Sequence, residues 1–203
     1  MRQIFTGAIA SITILAMGFF VWTAVHALFY APDSEINVPH ASVVLASEAR
    51  KPLRIQIPSL GIDAKVQEVG ITKTYSMGVP SNFQDVGWYK YGPVPGHVGS
   101  AVIDGHVDNG LALPGVFKHL GDITVGDDVY IIGEDGSKLH FVVNDVQSYP
   151  YADAPADIIF GRVDAARLNL ITCAGSWIKG KRTYSERLVV YTTFLNIMKK
   201  NGT

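Results

Sequence analysis

Short runs in which apolar and polar residues alternate, each ended by a turn signal, fill the chain from Leu53 onward. Leu53, Ile55 and Ile57 alternate with polar residues until Pro58, which fits a half-buried strand. Gly-Glu-Asp-Gly at 133–136 is a hairpin signal between two such runs. The predicted strands are 53–57, 62–69, 100–107, 129–132, 139–143, 167–172 and 187–194, and short helices are predicted at 114–120 and 156–163. This pattern is typical of an all-β barrel or sandwich.

The first 31 residues differ in composition from the rest. No Asp, Glu, Lys or Arg occurs between Ile4 and Ala31, and about 20 apolar residues are enough for a helix to cross a bilayer. Arg2 precedes this run and acidic residues follow it, which favours a cytoplasmic N-terminus. We therefore predict a cytoplasmic end and transmembrane anchor over 1–31. The alternative is a cleaved signal peptide, whose apolar core usually has about 7–15 residues. Both place the rest of the chain outside the cytoplasm.

Three segments follow the predicted anchor. Residues 32–52 are rich in Ser, Ala, Glu and Pro and are predicted to be a linker. Residues 53–195 form one domain, which is large enough to bury a core without disulfide bonds, and 196–203 form a polar tail. The net charge is −1 and no basic run is present, so nucleic acid is excluded as an expected partner.

Cys173 is the only cysteine, and it follows the apolar run 168–172. Outside the cytoplasm a cysteine is usually half of a disulfide. A solitary one is either a small buried hydrophobe or a thiol kept for chemistry. A thiol nucleophile needs a partner that favours the thiolate and a group that stabilises the oxyanion of the intermediate. The partners of Cys173 must therefore come from His and Arg.

One histidine and one arginine stand out. His106 follows the strand-like run 101–105, and functional side chains often lie where a rigid strand releases the chain into a loop. Arg187 directly precedes the apolar run 188–191, so we expect it at the start of a strand. Arg182 lies in a Lys- and Gly-containing loop and is the weaker candidate.

The order His106, Cys173, Arg187 resembles that of sortases, the cysteine transpeptidases of bacterial cell surfaces. Their Thr-Leu-x-Thr-Cys motif is matched by Leu170-Ile171-Thr172-Cys173, with Asn169 at the first Thr position. His106 follows a Gly, as in the family, and lies 67 residues before Cys173, while Arg187 lies 14 after it. The resemblance covers about 53–195, including 86–89, 92–96 and 117–129. The first two of these segments resemble the class often called E or F more than the pilin-assembling class.

The resemblance implies a closed sortase-type β-barrel after one N-terminal transmembrane helix. Cys173 would cleave a Leu-Pro-x-Thr-Gly-like sorting signal between Thr and Gly through a thioester. His106 would act as acid and base, Arg187 would stabilise the oxyanion, and Thr172 would help to bind and orient the substrate. The implied partners are surface proteins with a C-terminal sorting signal and, as acceptor, a cell-wall precursor or pilin amine. The implied location is the cell membrane, with the catalytic domain outside, and no metal or other cofactor is required.

Two metal sites are weaker alternatives. Asp104, His106 and Asp108 would share one face if they lay on a single strand. Acidic loop residues that would suit calcium, as in some sortases, are Asp127, Asp128, Glu134 and Asp135. A solvated turn is the simpler interpretation of this second group.

Other functions also remain open. Papain-like cell-wall hydrolases place Cys before His, whereas here His106 comes first. A surface-exposed β-barrel binding module or an inactive pseudo-sortase is the non-enzymatic alternative. Trp177 and Tyr184 are predicted either to line a groove for an apolar peptide or to cap the core.

Overall fold

The computed structural model describes residues 2–29, 36–38 and 51–198, with the side chains of the N-terminal helix from Leu15 to Leu28. The helices are α1 (Arg2–Phe29) and α2 (Ala156–Ile159). The strands are β1 (Pro52–Ile57), β2 (Ile62–Val69), β3 (Val86–Tyr89), β4 (Gly99–Gly105), β5 (Asp128–Gly133), β6 (Lys138–Pro150), β7 (Ala166–Ile178) and β8 (Thr183–Met198). Most of the predicted linker and of the predicted polar tail lies outside the described residues.

The eight strands close into a barrel in the order β1-β2-β3-β4-β7-β8-β6-β5. β2–β3 and β4–β7 pair in parallel, and the other neighbours pair antiparallel. Closure pairs every strand on both sides, so the sheet has no free edge. The all-β prediction is confirmed, and the closed barrel is the arrangement that forms.

Side chains inside the barrel form the main core. Along β7, Leu168 and Leu170 point into this core while Ile171 joins a second cluster on the outer face, which is the alternation of a strand. The inner core also contains Ile55, Ile57, Val86, Trp88, Ile103, Phe117, Phe141 and Val190. Each such side chain contributes about 1.5–3 kcal/mol when fully buried. Cys173 lies two residues beyond Ile171 and therefore belongs to the outer face.

The outer cluster includes part of the predicted linker. Ile36 and Val38 are buried and pack with Met77, Ile171 and Val189, among others. The Val38 amide donates to the Tyr75 carbonyl at 3.0 Å, and the Met77 amide donates to the Ile36 carbonyl at 3.1 Å. Residues 36–38 are thus attached to the β2–β3 connection.

Helix α1 has its described apolar side chains largely exposed, among them Leu15, Phe19, Phe20, Trp22 and Val25. Its C-terminal end meets the loop that follows β4, where the Asn109 side-chain amide donates to the Leu28 carbonyl at 3.2 Å. Within the described part of the chain, no helix has the length and hydropathy needed to cross a membrane.

Several predicted boundaries were wrong. β8 begins at Thr183, so Arg187 lies inside it instead of at its start, and β7 continues past Cys173 to Ile178. The helix predicted at 114–120 does not form, because the Gly115 amide donates to the distant Val107 carbonyl. From Lys118 onward, amides donate to carbonyls three residues earlier, as in a 3₁₀ helix, and one such turn is formed at Leu120–Asp122. The helix predicted at 156–163 is one turn long, and strand β3 was not predicted.

Candidate active site

His106, Cys173 and Arg187 come from three neighbouring strands. Cys173 pairs directly with Arg187 between the antiparallel strands β7 and β8, which places their Cβ atoms about 4.5–5.5 Å apart. On the other side of β7, the parallel register pairs Asp104 with Ile171. Strand β4 ends one residue later at Gly105, whose carbonyl accepts from the Thr172 hydroxyl at 2.8 Å. His106 therefore leaves the end of β4 next to the part of β7 that carries Cys173, and Arg187 lies across from Cys173 on β8.

The thiol of Cys173 is well shielded. Cys173 is 6% exposed and is not part of a disulfide bond. Its backbone is held by pairing with Arg187 on β8, and the pairing of β7 with β4 ends two residues earlier at Ile171. A cation next to a thiol favours the thiolate, which is the nucleophilic form.

A β-bulge follows Cys173 directly. Ala174 pairs with Glu186 but Trp177 pairs with Tyr184, so β7 has one extra residue in this stretch. Gly175 has a φ of +78°, and a Cβ atom there would come within 2.3 Å of the Ser185 hydroxyl oxygen. Such a bulge increases the local twist, so the end of the β7–β8 hairpin turns relative to the barrel wall. The predicted motif ends at Cys173 and gave no indication of this bulge.

His106 is held at the end of β4 and is 5% exposed. Its Nε2 atom lies 3.3 Å from the Pro80 carbonyl oxygen; because a carbonyl oxygen only accepts, Nε2 carries the hydrogen in this contact. The His106 carbonyl accepts from the Phe117 amide at 2.9 Å. A Cβ atom on Gly115 would come within 2.3 Å of that carbonyl. The His106 ring therefore contacts the β2–β3 loop at Pro80, and the His106 backbone is fixed by the segment that follows β4.

Arg187 is completely buried. Its Nη1 donates to the carbonyls of Glu186 at 2.9 Å and Tyr184 at 3.2 Å, and its Nη2 donates to the Thr183 hydroxyl at 2.9 Å. The guanidinium carbon also lies 5.8 Å from the centre of the Tyr151 ring. Burying a charge is costly unless it is hydrogen-bonded, and these contacts compensate for that cost while they orient the fork.

Thr172 is 3% exposed, and its hydroxyl donates to the Gly105 carbonyl at 2.8 Å. Asn169, which departs from the motif, is also buried, and its amide donates to the Ile159 carbonyl at 2.7 Å. Thr172 thus joins β7 to the end of β4, and Asn169 joins β7 to the end of α2.

A groove of about 430 Å³ lies between the segment that follows β4 and the β7–β8 hairpin, and it is lined by Asp108, Asn109, Gly110, Ala112, Trp177, Arg182 and Tyr184. The structure thus places the predicted groove residues Trp177 and Tyr184 in a groove wall. Their rings make an edge-to-face contact at 5.3 Å. Burial, the hydrogen bond to Asp108, and the charges of Asp108 and Cys173 raise the pKa of Tyr184 above its ordinary value.

No three His, Cys, Asp or Glu side chains among the described residues are arranged to hold a metal ion. Strand β4 ends at Gly105, so the single-strand geometry supposed for Asp104, His106 and Asp108 does not exist. The acidic turn residues have protein partners: Asp127 accepts from the Thr124 amide at 2.9 Å, and Asp128 meets His140 Nε2 at 2.7 Å.

Comparison with known proteins decides the family. The model of the sortase domain matches residues 55–194, which is more than half of the chain. The chain belongs to the sortase family. Sortases are cysteine transpeptidases, and the match includes His106, Cys173 and Arg187. No curated protein matches the chain.

Solved sortase structures share the fold. Sortase A from Corynebacterium diphtheriae has 21% identity and a TM-score of 0.57, and the match covers 75% of this chain and 64% of that one. Sortase C-3 from Streptococcus pneumoniae has 18% identity and a TM-score of 0.58, over 85% and 76%. Sortase C1 of GBS pilus island 1 has 20% identity and a TM-score of 0.58, over 91% and 82%. The chain thus spans less than two thirds of the C. diphtheriae sortase A chain, and these identities support the shared fold alone.

Proposed function

We propose that this chain is a membrane-anchored transpeptidase that cleaves a Leu-Pro-x-Thr-Gly-like signal between Thr and Gly and transfers the acyl part to an amine. The observation that carries the proposal is the position of Cys173, which pairs with the fully buried Arg187 on β8. The residue before it, Thr172, is hydrogen-bonded to Gly105, the residue before His106, so the strand that carries the thiol is flanked by a buried guanidinium and by the end of β4 that leads into the histidine.

The reaction has two halves. The Cys173 thiolate attacks the Thr carbonyl carbon, the peptide bond breaks, and His106 gives a proton to the departing Gly amine. The acceptor amine then attacks the thioester and passes its proton to His106, and the Cys173 thiolate leaves. Arg187 provides positive charge beside the oxyanion in both halves, where a preorganised donor is most effective. Thr172 is proposed to help orient the signal through the strand ends that its hydroxyl joins.

The anchor and the partners belong to the same proposal. The uncharged stretch 4–31 and the exposed apolar side chains of α1 support an N-terminal membrane anchor with the barrel outside the cytoplasm. Extraction of membranes with carbonate tests this, because an anchored chain stays in the pellet. Sequencing of the mature N-terminus tests the cleaved-signal alternative. The proposed donors are surface proteins that carry the signal.

The acceptor proposal follows from the class resemblance. Trp88 and Pro93 belong to the two segments that resemble class E or F, and the Trp88 indole donates to the Pro93 carbonyl at 3.2 Å. We propose a cell-wall-type amine as acceptor rather than a pilin lysine. Transfer to a glycine-type amine should exceed transfer to a lysine-bearing pilin peptide, and the reverse preference contradicts this proposal.

The central test uses the purified full-length chain with a quenched Leu-Pro-x-Thr-Gly peptide and a glycine-type amine. Cys173→Ala should abolish cleavage, and wild type should accumulate a thioester visible by mass spectrometry. His106→Asn should lose transfer. His140→Asn should retain it, because His140 contacts Asp128 and pairs with Asn196, nine positions along β8 from Arg187. Equal cleavage by wild type and Cys173→Ala contradicts the mechanism. Signal binding without cleavage points to a pseudo-sortase or binding module, and cleavage unaffected by amine points to a hydrolase.

A further inference from the structure

Tyr184 and Asp108 connect the two sides of the groove. The Tyr184 hydroxyl donates to the Asp108 carboxylate at 2.5 Å, although the residues are 76 positions apart in the chain. Asp108 is 5% exposed, and Lys118 lies 3.8 Å from the same carboxylate oxygen. A hydrogen bond to an ionised acceptor is among the stronger ones in proteins, and here it links β8 to the segment that leaves β4.

Both residues are close in sequence to the proposed catalytic groups. Asp108 lies two positions after His106, and Tyr184 lies three positions before Arg187. The Tyr184 carbonyl accepts from Arg187 Nη1 at 3.2 Å, so the same residue contacts the guanidinium through its backbone and Asp108 through its side chain. The ring also packs against Trp177, its cross-strand partner across the bulge.

The hydroxyl is suited to a lasting donor role. Burial and the Asp108 carboxylate both raise the pKa of Tyr184, because the neighbouring negative charge and the loss of water disfavour the phenolate. The proton therefore stays on Tyr184 at any pH where the enzyme would work.

We propose that Tyr184 and Asp108 are positioning residues, whose bond fixes the His106 segment against the β7–β8 hairpin so that His106 and Arg187 keep a fixed arrangement around Cys173. This inference rests on the proposed function. It assigns no substrate contact to either residue. Its consequence is that loss of the hydroxyl slows the chemical steps and leaves binding of the signal nearly unchanged.

The test is a double-mutant cycle in the full-length chain with Tyr184→Phe, Asp108→Ala and the double variant. Each single change should lower kcat about tenfold, with KM changed less than about twofold. The double variant should be no slower than the slower single variant, because both changes remove the same bond. Asp108→Asn keeps a carbonyl acceptor and should retain most of kcat. Thermal unfolding of each variant identifies any that fail to fold.

Tyr130→Phe is the matched control, because burial and the nearby Asp128 carboxylate on strand β5 raise the pKa of Tyr130, as burial and Asp108 do for Tyr184. It should leave kcat unchanged. The proposal is overturned if Tyr184→Phe keeps wild-type kcat, if KM alone rises, or if the two single effects multiply in the double variant.

A measurement that needs no substrate separates this proposal from the proposed function. Iodoacetamide alkylates Cys173 at a rate set by its thiolate fraction and access, and Tyr184→Phe should change that rate at neutral pH by about threefold or more. If Cys173 of the wild type is alkylated but the protein transfers no acyl group, the proposed function fails. The difference in alkylation rate between wild type and Tyr184→Phe then decides the positioning role by itself. An unchanged rate in Tyr184→Phe contradicts it.

Discussion

The Thr172 hydroxyl and the Gly105 carbonyl are joined by a 2.8 Å hydrogen bond between β7 and the end of β4. Each residue directly precedes a proposed catalytic residue, Cys173 in one strand and His106 in the other. The bond is buried, so water does not replace it when it is lost. It therefore fixes the distance between the two strand segments that lead into Cys173 and His106.

Thr172→Val should affect both stability and catalysis. The change keeps the shape but leaves the Gly105 carbonyl without this donor, so we expect a loss of about 1–3 kcal/mol in the free energy of unfolding. The transfer rate should fall as well, because β4 and β7 can then shift against each other.

Thr192→Val is the matched control for that change. The Thr192 hydroxyl donates to the Leu168 carbonyl, also at 2.8 Å and also buried. Urea unfolding should show similar losses for the two variants, while kinetics should show a slower reaction only for Thr172→Val. Equal transfer rates in both would mean that the Thr172 bond is purely structural.

Arg187→Lys should inactivate the enzyme although it keeps the charge. One ammonium cannot reproduce the planar fork that reaches the Tyr184 and Glu186 carbonyls and the Thr183 hydroxyl. We expect kcat to fall more than about tenfold. Arg54→Lys, at an exposed pair with Asp63, should leave kcat unchanged. Wild-type kcat in Arg187→Lys would show that charge alone is sufficient.

Gly175→Ala should disturb the bulge beside Cys173. The added Cβ faces both an unfavourable positive φ and the Ser185 hydroxyl oxygen at 2.3 Å. Gly136→Ala separates these costs, because Gly136 has a φ of +76° with no atom within 4 Å of the added Cβ. Gly136→Ala should cost about 1 kcal/mol and leave transfer intact. Gly175→Ala should cost more and slow transfer; equal unfolding free energies in the two variants would contradict the steric argument.

The positions of most strands were predictable from the sequence because one face of each packs on the core. Leu168 and Leu170 show the required alternation, so β7 was found. β3 was missed because Val86–Tyr89 is short and buried throughout, so no polar face marks it. The end of β7 past Cys173 and the start of β8 lie largely outside the core, and pairing with the partner strand, which the local sequence does not encode, extends them.

The site was partly predictable for a related reason. His106 lies where an apolar strand ends, and that boundary is visible in the sequence. The contact between Tyr184 and Asp108 depends on the barrel closing, and no local pattern indicates it. Asn169 was visible in the sequence as the departure from the motif, but its bond to the Ile159 carbonyl depends on where α2 packs.

Alkaline pH should destabilise the fold in part through Tyr191. Burial and the hydrogen bond with Tyr149 raise the pKa of Tyr191, whereas an unfolded tyrosine titrates near about 10. Above that pH the unfolded chain releases a proton that the folded chain retains, so this stabilising contribution is full below about pH 10 and declines as the pH rises. Urea midpoints measured from pH 8 to about pH 11 should fall less steeply in Tyr191→Phe than in wild type. If the urea midpoints of wild type and Tyr191→Phe fall equally with pH, Tyr191 does not cause the alkaline loss of stability.

The parallel pairing of β4 with β7 joins parts of the chain about 67 residues apart. Contacts of such long range form slowly, because the loop must close before the contact provides any stabilisation. Until β4 and β7 pair, the end of β4 that leads into His106 is not held against the strand that carries Cys173. The proposed activation of the Cys173 thiol therefore requires a complete barrel wall, and before closure the cysteine would have only the reactivity of an ordinary thiol.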